Sequence, residues 1–382
     1  MSNNFEAIIR GIRKSFNTKE FIPLHVPQFW GKEKENLLDT IDSTFVSSVG
    51  AFVNKVEEQM TDLTKTAKAA AVVNGTAGLQ VSLRIAGVNP GDEVLTQALT
   101  FVATANSIAY NHASPVFIDV DKDTMGLSPI ALKNFLEEFG DLREEGCFNK
   151  KTNKRIAACM PMHTFGFMCR IDEIVAICDD WEIPVVEDAA EALGSSYKGI
   201  SAGKFGQTGV FSFNGNKIIT AGGGGVIVSR EPEFAEKAKY LTTTAKVPHK
   251  WEYVHQEMGY NFRMPNLNAA LLSAQLDNFD HYKSSKAELY LEYKALFEGS
   301  NVELVSIPKD TNWNYWLMSA CFEDKKERDV FLEKSNESGI MTRPIWQLMY
   351  RLPMYENCQK DEQLNAEFLE QRIVNMPSSA RK

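Results

Sequence analysis

The chain has 382 residues and a formal net charge of −9, from 41 Lys and Arg against 50 Asp and Glu. Its 44% hydrophobic and 24% charged residues are typical of globular proteins and argue against disorder or a fibrous repeat. The acidic balance disfavours binding to nucleic acid, and no apolar run approaches the roughly 18 residues that span a bilayer.

Residues 66 to 230 alternate short apolar runs with helix-like stretches and turns that contain glycine. This alternation is typical of an α/β domain with a largely parallel sheet. The predicted strands are Ala69–Val73, Glu93–Thr96, Pro115–Val120, Ile156–Met160, Ile183–Glu187 and Val226–Val228. The predicted helices are Thr76–Ala86, Phe101–Asn111, one that begins at the capping pair Ser128-Pro129, and Ile171–Trp181.

The α/β pattern has one polar interruption and changes beyond about residue 265. The polar stretch Asp141–Arg155 predicts a surface loop, whereas Asn266–Phe297 predicts one long helix. Fewer strands follow, and an amphipathic stretch, Glu362–Asn375, lies near the end. We therefore predict a large domain over residues 1–255 and a smaller α+β domain over residues 256–382.

The cysteines and the N-terminus bear on the compartment. Six cysteines in a chain of this length are too few for a disulfide scaffold, and none forms a CxxC pair. The six histidines show no metal-ligand spacing, so we expect no structural metal. Residues 1–13 lack the continuous apolar stretch of a signal peptide. We therefore expect a cytoplasmic protein with reduced thiols that binds neither nucleic acid nor membrane.

Two segments place ligand-binding groups where predicted strands end. Asn74-Gly75-Thr76 leads into a helix, and free backbone N–H groups at such a turn can hold a phosphate. By itself this segment is more often a plain tight turn. Glu187-Asp188 lies at the C-terminal end of a buried strand, at the edge where open α/β sheets bind their ligands. A carboxylate there can pair with a cationic nitrogen or cap the next helix.

A lysine ends the segment Phe211-Ser212-Phe213-Asn214-Gly215-Asn216-Lys217. A lysine in aromatic, glycine-dense surroundings can form an imine, although a single lysine is usually a solvated surface residue. The glycines at 222–225 precede a strand instead of following one, which argues against a dinucleotide-binding loop. A polar and aromatic segment, Gly259–Pro265, is by itself a turn.

Together these segments offer a phosphate cradle, a carboxylate for a ring nitrogen, a hydroxyl at Ser212 and a lysine five residues later. That inventory suits pyridoxal 5′-phosphate, because its phosphate, ring nitrogen and aldehyde need separate partners.

In this order, and along nearly the whole chain, the segments resemble the DegT/DnrJ/EryC1/StrS family of sugar aminotransferases. The resemblance implies an α/β protein of fold type I, the aspartate-aminotransferase architecture, with a large mixed, mostly parallel sheet and a smaller C-terminal α+β domain. The blocks Phe21–Pro27, Val46–Gly50 and Met162–Gly166 resemble one subgroup. That subgroup moves an amino group, from glutamate as the expected donor, to C4 of a nucleotide-linked 4-keto-6-deoxy-N-acetylhexosamine for legionaminic-acid-type sugars.

The resemblance implies a role for each matching residue. Lys217 stands at the position of the Schiff-base lysine. Asp188 stands at that of the carboxylate that keeps the pyridine nitrogen protonated. Phosphate contacts fall to the backbone of Gly75 and Thr76 and to the Ser212 hydroxyl.

Three more positions are implied by the same resemblance. Phe101 stands where an aromatic ring stacks on the cofactor. Asn261 matches an asparagine that reaches the phosphate of the neighbouring subunit, which implies a homodimer with shared active sites. Glu191 departs from the common His or Gln beside the cofactor's phenolic oxygen. A carboxylate there would repel that oxygen unless it is protonated or turned away.

Several alternatives stay open. Some relatives are sugar dehydratases with His in place of the lysine, so Lys217 favours transamination. A non-catalytic pyridoxal-phosphate-binding protein is the other alternative, although a complete site makes catalysis the simpler account. Asn312–Trp316 could stack on a nucleotide base, but an aromatic core strand is the better interpretation. His25 and His163 could contact the sugar or serve as structural hydrogen-bonding residues. The loop Arg343–Tyr355 could contact the sugar or the diphosphate.

Overall fold

The computed structural model describes residues 2–382. Its helices are α1 (Ser2–Phe16), α2 (Glu33–Asp42), α3 (Ala51–Thr64), α4 (Gly75–Ile85), α5 (Val102–Ala109), α6 (Pro129–Phe139), α7 (Ile171–Asp180), α8 (Pro232–Thr242), α9 (Asn266–Asp277), α10 (Phe279–Phe297), α11 (Lys325–Glu337) and α12 (Leu364–Glu370). Short 3₁₀ turns lie at Thr164–Gly166 and Met349–Arg351.

The strands are β1 (Lys68–Val72), β2 (Glu93–Gln97), β3 (Ser114–Ile118), β4 (Gly140–Arg143), β5 (Gly146–Asn149), β6 (Ile156–Met160), β7 (Val186–Asp188), β8 (Ser196–Tyr197), β9 (Ile200–Ser201), β10 (Thr208–Ser212), β11 (Gly225–Ser229), β12 (Lys246–Val247), β13 (Val254–His255), β14 (Glu303–Leu304), β15 (Thr311–Asn312), β16 (Ser319–Cys321), β17 (Arg343–Pro344) and β18 (Ile373–Asn375).

Seven strands form the central sheet, in the order β1-β11-β10-β7-β6-β2-β3. Backbone bridges Cys159↔Val185 and Met162↔Asp188 join its two halves. β11 runs antiparallel to both of its neighbours, and the other paired strands are parallel. The predicted mixed, mostly parallel sheet is confirmed.

The core lies on both faces of this sheet. Alternate residues of β1 point to opposite sides, so that Ala69 and Ala71 join one apolar cluster and Ala70 and Val72 join another. Strands that are buried on both faces appear as continuous apolar runs, which explains why the sequence revealed them. Each predicted strand and helix up to residue 230 is present, with ends shifted by three residues or fewer.

The predicted loop at Asp141–Arg155 is wrong in part, because β4 and β5 form a hairpin there. Gly146 has a φ of +116°, which lets the chain turn tightly. The inward side chains include the polar Asn149, whose amide donates to Glu93 at 2.8 Å. Because the hydrogen-bonded Asn149 takes this buried position, the strand lacks the apolar pattern that would have indicated it in the sequence.

The predicted single helix Asn266–Phe297 is wrong, because it consists of α9 and α10 with a break at Asn278. Asn278 leaves helical geometry, with φ −110° and ψ 10°, and its side-chain amide donates to the Ala274 carbonyl at 3.1 Å. An asparagine that takes a helix carbonyl in this way favours a helix end. The stretch Glu362–Asn375 likewise contains a helix, α12, and a strand, β18.

The C-terminal part has a sheet of its own, in the order β14-β16-β18-β17. The N-terminal helix α1 packs there, since the ring centroid of Phe5 lies 5.9 Å from that of Phe322 and 5.5 Å from that of Phe331. The domain boundary at residues 255 and 256 stays a prediction. No helix within residues 2–382 is long and apolar enough to cross a membrane.

Candidate active site

The predicted site residues come together at one edge of the central sheet. β1, β7 and β10 run in the same direction, and their carboxyl ends lead into Gly75, Asp188 and Ser212. Lys217 follows β10 by five residues. This is the edge at which open α/β sheets bind ligands.

Asp188 is held rigidly below the surface, with 3% of the residue exposed. One carboxylate oxygen accepts a hydrogen bond from the Thr104 hydroxyl at 2.7 Å, and the other accepts one from the Ala190 N–H at 3.2 Å. Burial raises the pKa of Asp188, although these hydrogen bonds and the charge of Lys217 lower it in part. An oriented, desolvated carboxylate is a suitable partner for a cationic ring nitrogen.

A phosphate cradle forms where α4 begins. The Asn74 side chain caps the helix by accepting from the Ala77 N–H at 2.8 Å. Gly75 and Thr76 are the first residues of α4, so their N–H groups have no partner within the helix. A Cβ at Gly75 would lie 2.9 Å from the Ser212 Cβ, so glycine allows the helix to approach this hydroxyl. The arrangement can bind a phosphate.

Lys217 points into the protein, with 11% of its side chain exposed. Its Nζ lies 3.1 Å from Glu191 Oε1 and 4.2 Å from the ring centroid of Trp316. The Trp316 Nε1–H donates to the Asn216 carbonyl at 2.9 Å, which fixes the indole against the loop that carries the lysine. The predicted burial of residues 312–316 is confirmed for Trp313 and Trp316, but the strand ends at Asn312.

Glu191 is 4% exposed and is held from two sides. Its second oxygen accepts from the Phe165 N–H at 2.9 Å. Phe165 has a φ of +55°, which a bulky residue rarely adopts, and its carbonyl accepts from the Trp313 Nε1–H at 2.9 Å. Burial raises the pKa of Glu191 to about 7, against the lowering effect of Lys217 and of Phe165.

Glu187, the other carboxylate of the predicted pair, organises the backbone. It accepts from three N–H groups at 2.7–2.9 Å, those of Gly203, Phe205 and Gly206. Its Oε2 also lies 3.0 Å from His163 Nε2. Burial lowers the pKa of His163, but contacts with Cys169 and Glu187 raise it to about 10. His163 therefore fits the structural alternative and not a sugar contact.

Two predicted positions lie at the periphery of this cluster. Phe101 precedes α5 with 49% of the residue exposed, and its ring centroid lies 6.5 Å from that of Trp346 in the predicted substrate loop. Asn261 is exposed. Its neighbour Phe262 accepts a hydrogen bond from the Val73 N–H at 2.9 Å, just before the cradle.

Sequence reasoning missed Thr104 and Phe165 as site residues. Thr104 stands three positions after Phe101, in the first turn of α5, and only that hydroxyl spacing could have indicated it. Phe165 belongs to a quoted block, but its positive φ has no signature in the sequence. His25 stays a candidate for a sugar contact. Burial and the charges of Lys286 and Lys217 hold its pKa well below the ordinary value.

The site residues fit pyridoxal 5′-phosphate. The cradle that a Cβ at Gly75 would fill, the buried Asp188 and the desolvated Lys217 supply one partner for each of its reactive parts. With the seven-stranded sheet, they define a fold type I enzyme that depends on pyridoxal 5′-phosphate.

Comparisons with known proteins identify the family. Residues 28–381 match the DegT/DnrJ/EryC1/StrS aminotransferase family. EpsN of Bacillus subtilis (strain 168) is 37% identical over 88% of this chain and 84% of its own. The GDP-perosamine synthase of Escherichia coli O157:H7 is 34% identical over 94% and 93%. The aminotransferase TlmJ of Streptoalloteichus hindustanus has the same fold, with a TM-score of 0.84 and 24% identity over 94% and 93%. The chain belongs to this family and is an aminotransferase.

Proposed function

We propose that this enzyme transfers an amino group from glutamate to C4 of a nucleotide-linked 4-keto-6-deoxy-N-acetylhexosamine, of the kind that leads to legionaminic-acid-type sugars. The observation that carries the proposal is the convergence of Lys217, Asp188 and the phosphate cradle at one sheet edge. A relative named GDP-perosamine synthase supports a nucleotide-linked sugar as the acceptor.

When bound, pyridoxal 5′-phosphate supplies an electron sink that can carry an amino group between two substrates. Asp188 holds the proton at the ring nitrogen, which keeps the ring electron-withdrawing. The Gly75 and Thr76 N–H groups and the Ser212 hydroxyl hold the phosphate. Lys217 moves protons at the reacting carbon, a role worth about 10²–10⁴-fold in rate.

Two further residues have proposed contacts with the cofactor. Phe101 covers the ring with its exposed aromatic face. Glu191 belongs to the cofactor site through its contact with Lys217. Since burial raises the pKa of Glu191 to about 7, the carboxyl can stand beside the cofactor's phenolic oxygen in its neutral form without repelling it.

We further propose a homodimer in which each subunit completes the other's site. Asn261 is exposed and is proposed to reach the phosphate in the partner subunit. The N-terminal segment supports an interface, because large apolar residues are exposed there, namely Phe21, Val26, Phe29, Leu38, Ile41, Phe45, Val46 and Val49.

Subunit mixing tests the shared site. In a mixed dimer of Lys217→Ala and Asn261→Ala subunits, a shared site places both lesions in one site and leaves the other site with an intact Lys217 and Asn261. Exchange of the two inactive variants should therefore restore part of the activity. Absence of recovery after demonstrated subunit exchange would contradict the shared site.

We propose the cytoplasm as the compartment. All six cysteines are free, which suits a reducing environment.

The substrate proposal is tested with purified enzyme, glutamate and a panel of UDP-, GDP- and TDP-linked 4-keto sugars. Glutamate should bleach the yellow absorbance of the cofactor, and a 4-keto-N-acetylhexosamine nucleotide should restore it. Failure of glutamate to change the spectrum would exclude this donor.

A further inference from the structure

The Lys217 nitrogen occupies a preformed niche. Glu191 Oε1 lies 3.1 Å away on one side, and the Trp316 ring centroid lies 4.2 Å away on the other. A carboxylate and an indole face are the two kinds of group that stabilise an ammonium in a desolvated place.

Both walls of the niche are anchored by groups other than the lysine. The Phe165 N–H holds Glu191, and the Asn216 carbonyl holds the Trp316 indole, each at 2.9 Å. Phe165 has a positive φ, and both of its backbone polar groups are used. Such a conformation persists only where the surroundings enforce it, and these conformations cluster at functional sites.

We propose that Glu191 and Trp316 form a holding site for the free side chain of Lys217, and that Glu191 accepts the lysine proton when Lys217 attacks an aldehyde. The N–H bond of the ammonium breaks and an O–H bond forms at Glu191 Oε1. The lysine is left as a neutral amine with its lone pair free, and Glu191 becomes a neutral carboxylic acid. The amine nitrogen then bonds to the aldehyde carbon, and the aldehyde oxygen leaves as water with the two remaining protons of the amine. The proposal rests on the cofactor chemistry of the proposed function, but not on the identity of the donor or the sugar.

The charges around the pair permit this transfer. Burial, opposed by Lys217, raises the pKa of Glu191 to about 7, and Asp188 contributes in the same direction as burial. Glu191 is therefore ionised and able to accept a proton above about pH 7, and already protonated below it. Three further titratable groups lie around the site. The charge of His163 lowers the pKa of Asp188, the charge of Lys217 lowers the pKa of His25 in the N-terminal segment, and Lys286 on α10 acts on His25 in the same direction.

Of these groups, His163 carries a charge at neutral pH. Its pKa of about 10 makes it positive, and it lies beside Glu187. Burial lowers the pKa of His25 and of Lys286 well below their ordinary values. Glu191 is thus the carboxylate that contacts Lys217, and Asp188 is engaged by Thr104 and Ala190.

The test follows the reaction of Lys217 with pyridoxal 5′-phosphate in the full-length protein after removal of the cofactor. Borohydride trapping and peptide mapping report the modified lysine, and the rate is measured from pH 6 to pH 8. Glu191→Gln keeps the size of the side chain but cannot take the proton. The ratio of the wild-type rate to the variant rate should exceed about tenfold at pH 8. It should fall toward one at pH 6, as the ionised fraction of Glu191 falls about tenfold.

Four more variants separate positioning from folding. Glu191→Asp keeps a carboxylate and should retain the pH dependence at a reduced rate. Trp316→Phe keeps an aromatic face and should retain more of the rate than Trp316→Leu. Asp172→Asn is the matched control, because it removes a carboxylate 2.7 Å from the exposed Lys198 and should leave the trapping rate unchanged.

A Glu191→Gln rate and pH profile equal to those of the wild type would overturn the proposal. A Glu191→Asp rate that no longer depends on pH, together with equal rates for the two Trp316 variants, would also overturn it. A wild type that traps no cofactor would contradict the cofactor assignment instead. A wild type that traps the cofactor normally but aminates no keto sugar would contradict the proposed substrate alone.

Discussion

Thr104 controls the protonation of Asp188, and its removal gives a quantitative prediction. Its hydroxyl donates to Asp188 Oδ2 at 2.7 Å, in a residue that is 1% exposed. Thr104→Val replaces the hydroxyl by a methyl group and leaves the carboxylate with the Ala190 N–H. A hydrogen bond to a charged group contributes about 1.5–3 kcal/mol, and about 1.4 kcal/mol corresponds to one pKa unit. The pKa of Asp188, already raised by burial, should therefore rise by about one to two further units.

A higher pKa of Asp188 changes the pH at which the cofactor loses its charged partner. Asp188 must be ionised to hold a proton at the ring nitrogen, and a higher pKa means that it is neutralised at a higher pH. The absorbance of the cofactor-loaded protein, titrated from pH 8 to pH 4, should show its acid-side midpoint displaced upward by about one to two units in Thr104→Val. Ser107→Ala is the control, since that hydroxyl donates to the Thr104 carbonyl at 2.8 Å. Coincident midpoints for Thr104→Val and the wild type, in folded protein, would refute this reasoning.

Two other substitutions test the scaffold of the site. Glu187→Gln should lower the free energy of unfolding by about 3–5 kcal/mol, because it leaves buried His163 without its charged partner, and urea denaturation that shows a loss below about 1 kcal/mol would contradict this. Gly75→Ala places a Cβ 2.9 Å from the Ser212 Cβ and should weaken cofactor affinity about tenfold or more in equilibrium dialysis. Gly223→Ala is its control, because a Cβ there comes no closer than 3.9 Å to another atom, and equal affinities for the two variants would argue against the cradle.

The sequence predicts the central sheet well because its strands are buried on both faces and form short apolar runs between turn residues. It predicts Asp188 at the ligand-binding edge because this residue directly follows a predicted strand. β10, which ends at Ser212, was missed, and Ser212 was assigned to the site through the family resemblance. The Asn278 break was missed, because the helical hydrophobic pattern runs through it and a side-chain hydrogen bond decides the end.

The contacts within the site could not be predicted in the same way. Thr104 meets Asp188 across 84 positions of the chain, and Glu191 meets Phe165 across 26. Lys217 meets Trp316 only because the C-terminal part packs on the sheet edge. The sequence suggested a core role for the aromatic residues at 313–316, and burial confirms it for Trp313 and Trp316. Trp316 is both buried and in contact with the reactive lysine.

The central claim is amino transfer to a nucleotide-linked sugar, and isotope transfer tests it most directly. The enzyme is incubated with ¹⁵N-labelled glutamate and a nucleotide-linked 4-keto-6-deoxy-N-acetylhexosamine, and the product is examined by NMR and mass spectrometry. The account predicts ¹⁵N at C4 of the sugar, formed in step with 2-oxoglutarate and abolished by Lys217→Ala. A sugar that remains unlabelled across the nucleotide panel, with wild-type enzyme that glutamate bleaches, would contradict it.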